Sequence, residues 1–125
     1  MKHYSAGDSQ DAGIAYHLAP QETWERQKAT GSYVPEAFDA DGFIHATNGL
    51  ERLLWVANEF YTADDRLHVV LVLDVARLTS PMRYDDENEH FPHIYGPLNV
   101  DAVTGELPVQ RGEGGAFVAF GNEQG

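Results

Sequence analysis

Hydrophobic and polar positions alternate through Ile14, Ala15, Tyr16, His17 and Leu18, and the run stops before Pro20. That pattern predicts a first strand over 14–18. Pro20 suits the first turn of a helix, Glu22 and Glu25 suit its positive end, and Gly31 suits its stop. A helix is therefore predicted over 20–30, with Trp24 as its core anchor. Gly42, Phe43, Ile44, His45 and Ala46 read as a short second strand, and Thr47 or Asn48 as the cap of a second helix. Leu50, Leu53, Leu54, Ala57, Phe60 and Tyr61 recur at helical spacing as one apolar stripe, which Asp64 and Asp65 end. The clearest strand is 67–74, apolar almost throughout, which predicts a central position covered on both faces. A short helical turn over 75–78, a brief strand over 82–84 and a charged loop over 85–90 follow. His93, Ile94 and Tyr95 lie between Pro92 and Pro97, which hold the segment extended. Further strands are predicted near 100–103 and 115–120. Strands and helices mix without strict alternation, so the class is α+β rather than doubly wound.

The totals narrow what such a chain does. Its 125 residues suit one domain, over 13–121, with a loose polar arm at 1–12 and a frayed end at 122–125. The absence of cysteine removes disulfides, thiolate zinc sites and thiol nucleophiles, and fits a cytoplasmic protein. A formal net charge of -12 repels phosphate backbones, so a nucleic-acid partner is not expected. No stretch has the length of a membrane span, and the polar start is not a secretory signal. The expected partner is a small-molecule ligand, and the expected state a monomer or weak homodimer.

Candidate chemistry gathers on histidine. Of six histidines, His17, His45 and His93 lie in elements that a small core would hold rigid, which a positioned imidazole requires. Each alone is more often a satisfied structural residue. His3, His68 and His90 read as structural or solvated. Around the three, Gly42 reads equally as a turn or as a point of close approach. Thr47 reads as a helix cap or as a group orienting His45, and Tyr95 as packing or as a ring-stacking, hydrogen-bonding group. Asp85, Asp86, Glu87 and Glu89 form a carboxylate cluster from which one could orient a histidine or act as a base.

Tyr16, His17 and Leu18, then the run from Gly42 to Thr47, then Phe91, Pro92, His93, Ile94, Tyr95, Gly96, Pro97 and Leu98 resemble the successive motifs of the DUF952 family of small bacterial proteins. The resemblance runs from about Ile14 to Phe120. That family is similar in fold to the ADP-ribosyltransferases and RNA 2'-phosphotransferases. The similarity implies a split, curved β-sheet core with two or three flanking helices and a cleft for NAD. It implies that His17, with Tyr16, holds the nicotinamide-side ribose, and that His45 and Thr47 form a second ligand-holding block. It places a catalytic carboxylate at Asp85 or Glu87, and spacing does not choose between them. His93 belongs to the DUF952 pattern alone, as does Tyr95. NAD is thus the candidate substrate, with no resident cofactor established. Two alternatives stand beside this enzyme: a non-catalytic small-ligand module, and a metal site of His17, His45 and His93.

Overall fold

The computed structural model describes residues 13–121. The arm expected over 1–12, with His3, and the frayed end expected over 122–125 lie outside the described residues.

The strands among the described residues are β1 (Ile14–Pro20), β2 (Ser32–Tyr33), β3 (Ile44–His45), β4 (His68–Asp74), β5 (Met82–Tyr84), β6 (Pro92–Ile94), β7 (Leu98–Asn99), β8 (Val103–Arg111) and β9 (Phe117–Phe120). The α-helices are α1 (Gln21–Lys28), α2 (Phe38–Asp41) and α3 (Leu50–Phe60). The main sheet runs β1-β4-β8-β9 and is antiparallel throughout. Two smaller antiparallel sheets, β3-β6-β5 and β2-β7, accompany it. An isolated bridge between Tyr16 and Thr47, with both N–H···O distances 2.9 Å, joins β1 to the segment leaving β3. The result is an α+β fold whose antiparallel sheet curls as a half-barrel.

β4 lies inside the main sheet, as its near-continuous apolar run requires. Val69, Leu71 and Leu73 enter one core with Trp24, Tyr33, Ile44, Ile94 and Leu98. Val70 enters a second core with Tyr16 and Leu53, against which Val72, Leu107 and Phe120 pack. The strand's two faces thus belong to two cores. Leu67, included in the sequence prediction, falls outside the strand and is exposed.

α1 starts after Pro20, with Glu22 in its first turn and Arg26 and Lys28 in its last, charges that complement the helix dipole. It seats Trp24 edge-on against Tyr33, ring centroids 5.6 Å apart. α3 departs from expectation at both ends. Its N-cap is Gly49, at φ 89°, rather than Thr47 or Asn48. Thr47 is drawn into the bridge with Tyr16, and the Asn48 amide donates to the Tyr84 hydroxyl at 2.9 Å and the Glu89 carbonyl at 3.1 Å. At the other end Phe60, expected in the apolar stripe, is 70 % exposed beside Trp55, which is exposed as well.

Four elements escaped the sequence pattern: β2, β7, β8 and the four-residue α2. β2 and β7 are two residues each, too short for a periodic signal. The strand expected at 100–103 is a 3-10 turn over Val100–Ala102, followed by the nine-residue β8. Gly105 and Pro108 hide β8, because both residues normally argue against a strand interior.

Arg111, at the end of β8, ties the connection before β4 to the β8–β9 turn. Its Nη1 donates to the Asp64 carbonyl at 2.6 Å and the Arg66 carbonyl at 3.2 Å, and its Nη2 to the Gly115 carbonyl at 2.9 Å. The guanidinium also lies 4.0 Å from the Phe117 ring centroid. Arg111→Ala removes the donor from these carbonyls, and from that of Thr62 at 3.4 Å, and the cation from the ring, and is expected to cost about 2 kcal/mol in urea unfolding.

Candidate functional site

The site is assembled from β1 outward. His17 is central on β1, and its side chain shares the face of Ala15 and Ala19. Its Nδ1 lies 2.6 Å from the His45 carbonyl oxygen. A carbonyl only accepts, so Nδ1 carries the hydrogen and Nε2 keeps its lone pair. The Tyr33 hydroxyl approaches that Nε2 at 3.4 Å. Burial lowers the His17 pKa to about 4, against the partial opposition of the bond to His45, so the ring is neutral at pH 7. Burial likewise pushes the Tyr33 hydroxyl well above its ordinary value, leaving it a donor.

A cavity of about 340 Å³ opens beside this ring. Tyr16, Tyr33, Phe43, His45 and Thr47 line it with His17, and Arg66 is the one arginine in its wall. Arg66 is committed elsewhere: it pairs with Glu36 at 3.1 Å and with Asp64 at 2.7 Å. That hydrogen bond from Arg66 holds the Asp64 carboxyl down to about 2.

A second cavity, of about 610 Å³, shares His45, Thr47, Val56 and Tyr61 with the first. Its other walls are Trp55, Phe60 and Phe91 on the apolar side and Asp85, Asp86 and His93 on the polar side. Strand register places His45 directly opposite His93, and His93 opposite Arg83 on its other flank. The His45 and His93 rings meet edge-on with centroids 5.6 Å apart. Phe43 lies flat on His93, centroids 3.9 Å apart and planes within 12°.

Each of these two histidines has its own carboxylate. Asp41 Oδ2 lies 2.8 Å from His45 Nε2. Gly42, left-handed at φ 80°, turns the chain from α2 into β3 and lets the two meet. A Cβ there would touch nothing within 4 Å, so Gly42 serves a turn and not a close approach. Asp85 Oδ2 lies 2.9 Å from His93 Nδ1 and also accepts from the Tyr95 hydroxyl, while Arg83 Nε donates to Oδ1 at 3.2 Å. The bonds from Tyr95 and His93 hold the Asp85 carboxyl below its usual range. Asp86 resists its own burial by accepting the backbone N–H groups of His90 and Phe91, at 2.8 and 3.1 Å, which shapes the loop.

The residues singled out from the sequence therefore divide. Tyr16, His17, His45 and Thr47 line the first cavity. His45, Thr47, Asp85 and His93 line the second. Glu87 is exposed on the loop turn and lines neither, and Tyr95 lines neither but donates its hydroxyl to Asp85. The three-imidazole metal site does not form: among the described residues no three His, Asp or Glu side chains converge as a metal set. His17 faces the first cavity only, with Nδ1 held by a backbone carbonyl, while His93 faces the second. His68, outside both cavities, donates its Nδ1–H to the Arg66 carbonyl oxygen 2.8 Å away. Sequence reasoning gave no role to Tyr33, Asp41, Phe43 and Trp55. The Asp41 to His45 spacing across a glycine was a usable signal, and so was a tryptophan off the apolar stripe of α3. For Tyr33 there was none.

Fold and cavities together define a small α+β half-barrel with a histidine-lined cleft along the edge of its main sheet. Residues 18–106 match the family described as "Protein of unknown function (DUF952)", and the chain belongs to that family. Among solved structures it is similar to protein CC0527 from Caulobacter crescentus. The crystal structure of that protein is 25% identical, with a TM-score of 0.71 over 84% of this chain and 93% of that one. Its solution structure is also 25% identical, with a TM-score of 0.66 over 82% of this chain and 90% of that one. A double mutant of it superposes equally, at 24% identity and a TM-score of 0.71. Among curated proteins none matches.

Proposed function

We propose that the cleft is of the ADP-ribosyltransferase type and takes NAD or a related ADP-ribose nucleotide by its nicotinamide–ribose end. The carrying observation is His17: buried, neutral, and locked by the His45 carbonyl so that Nε2 is an acceptor beside a 340 Å³ cavity. A ribose hydroxyl would take the place of the Tyr33 hydroxyl, 3.4 Å away, as the donor to that nitrogen. His45 and Thr47 line the same cavity and would meet a second ribose hydroxyl, and the aromatic rings of Tyr33 and Phe43 suit a flat pyridine ring. Two carboxylates line the adjoining cavity; Asp86 is taken up by the His90 and Phe91 N–H groups, and Asp85, whose pKa is depressed, is the anion to face positive charge developing at the anomeric carbon. The acidic chain suits the cationic nicotinamide ring and disfavours an RNA substrate. In the simplest turnover water adds to the anomeric carbon, the glycosidic electron pair leaves with neutral nicotinamide, and the water loses a proton. The reading is of a bacterial cytoplasmic protein, monomeric or weakly dimeric.

Calorimetry and histidine-observed NMR with NAD, nicotinamide and ADP-ribose test this. NAD is expected to bind and to shift the His17 ring resonances, and His17→Ala to weaken binding about tenfold or more, a loss of about 1.4 kcal/mol. Absence of heat and of shifts at millimolar NAD, with the protein shown to be folded, would overturn it. A second reading, binding without turnover, is favoured by Arg66: the cation in the cleft wall is already held by Glu36 and Asp64 instead of awaiting a pyrophosphate. NAD consumption that depends on His17 would reject that second reading.

A further inference from the structure

The second cavity is larger than the first, and its chemistry is different. Trp55, Phe60 and Phe91 give it apolar walls, and the first two are 54 % and 70 % exposed on α3. Exposed aromatic rings facing a concave wall are the composition of a small-molecule subsite. One polar end closes it, and that end is oriented. His93 is fixed on three sides: Phe43 stacks on its face, the strand register sets it between His45 and Arg83, and Asp85 takes the hydrogen of Nδ1. A carboxylate on Nδ1 leaves Nε2 as the basic atom, the arrangement by which an imidazole takes a proton from a hydroxyl. Tyr95 and Arg83 in turn hold Asp85, so the carboxylate cannot swing away. Of these groups, His93, Tyr95 and Arg83 line no part of the first cavity.

We propose that this second cavity is an acceptor subsite for a small molecule with an aromatic body and a hydroxyl group, and that His93, oriented by Asp85, takes the hydroxyl proton. The binding part stands on the cavity itself; the reaction part rests on the NAD reading above. In that reaction the acceptor oxygen bonds to the anomeric carbon of the substrate ribose. Its proton passes to His93 Nε2, and the glycosidic bond breaks with its electron pair going to the nicotinamide ring, which leaves neutral. The imidazolium then returns its proton to solvent. The shared residues His45 and Thr47 put the two cavities side by side, which such a transfer requires.

The probe is 4-fluorophenol, followed by fluorine NMR and by protein-observed shifts of the Trp55 indole and the His93 ring, with fluorobenzene as the partner lacking the hydroxyl. The phenol is expected to bind several-fold more tightly than fluorobenzene and to move Trp55 and His93. His93→Phe keeps a ring to stack on Phe43 but lacks the acceptor, and is expected to weaken the phenol about fivefold while leaving fluorobenzene unchanged. Trp55→Ala, at an exposed position that leaves the core intact, is expected to weaken both probes. Equal affinity for the two probes, shifts confined to Tyr33 and His17, or no shifts at millimolar phenol would each overturn the proposal. NAD titration read at His17 keeps the two readings separate: its failure removes the transfer step and leaves the acceptor subsite to be judged by the phenol.

Discussion

Lowering the pH from 7 to 4 is expected to take about 3 kcal/mol from the stability of the fold, and His17 is the main cause. Its pKa falls from 6.5 in the unfolded chain to about 4 in the folded one. The unfolded state therefore binds more protons between those values, and stability rises with pH there. The contribution is complete above 6.5 and is lost as the pH falls through the interval to about 4. A difference of that size corresponds to about 3 kcal/mol at 1.36 kcal/mol per pH unit. His68 adds a loss of the same sign, because burial lowers its pKa as well. Asp64, Asp85 and Asp86 also have depressed values, but a carboxylate whose folded pKa is lowered from 3.8 loses its contribution below that pH. The window from 6.5 to 4 thus belongs to histidine. Urea unfolding at pH 7, 5.5 and 4 measures the effect, and His17→Gln, which cannot take up a proton, is expected to flatten most of the slope. An unchanged slope in that variant would show that the buried imidazole is not its source.

Leu71→Ala is expected to cost about 3 kcal/mol, while Leu67→Ala four residues earlier is expected to cost under about 0.5 kcal/mol. Leu71 is fully buried in the interior strand of the main sheet, where β1 pairs on one side and β8 on the other. It faces the core of Trp24, Tyr33 and Ile44, so truncation leaves a cavity that paired strands on both flanks prevent from collapsing. Leu67 is 74 % exposed and lies outside β4. Comparative urea melts of the two variants decide the point. Because Leu71 pairs with His17 in register, the loss is also expected to loosen the imidazole that carries the functional reading.

The elements with a strong local pattern were legible in the sequence. β1 and α3 have apolar residues at the period of their own backbone, β4 is apolar almost throughout, and α1 is marked by Pro20, its terminal charges and Gly31. β2, β7 and β8 were not, because length or an internal glycine and proline erases the period. The position of the cleft was legible in part: histidine in rigid, apolar surroundings is visible along the chain. Its chemistry was not. Asp85 and Glu87 are two residues apart and alike in type, and only the loop held by Asp86 turns one toward His93 and the other to solvent.

By itself the sequence determined an acidic, cysteine-free α+β chain of the DUF952 family, with its central strand and its three rigid histidines. The class and the central strand follow from composition and short-range periodicity, and the family from the resemblance of the motifs over 42–47 and 91–98. The tertiary structure decided everything that depends on distance through space. It joined Tyr16 to Thr47, set His45 opposite His93, gave each of those two histidines its own carboxylate and divided the cleft into two adjoining cavities. The physical reason is that hydrogen bonds and burial act over a few ångströms between residues tens of positions apart, and no local pattern along the chain records which of them will meet.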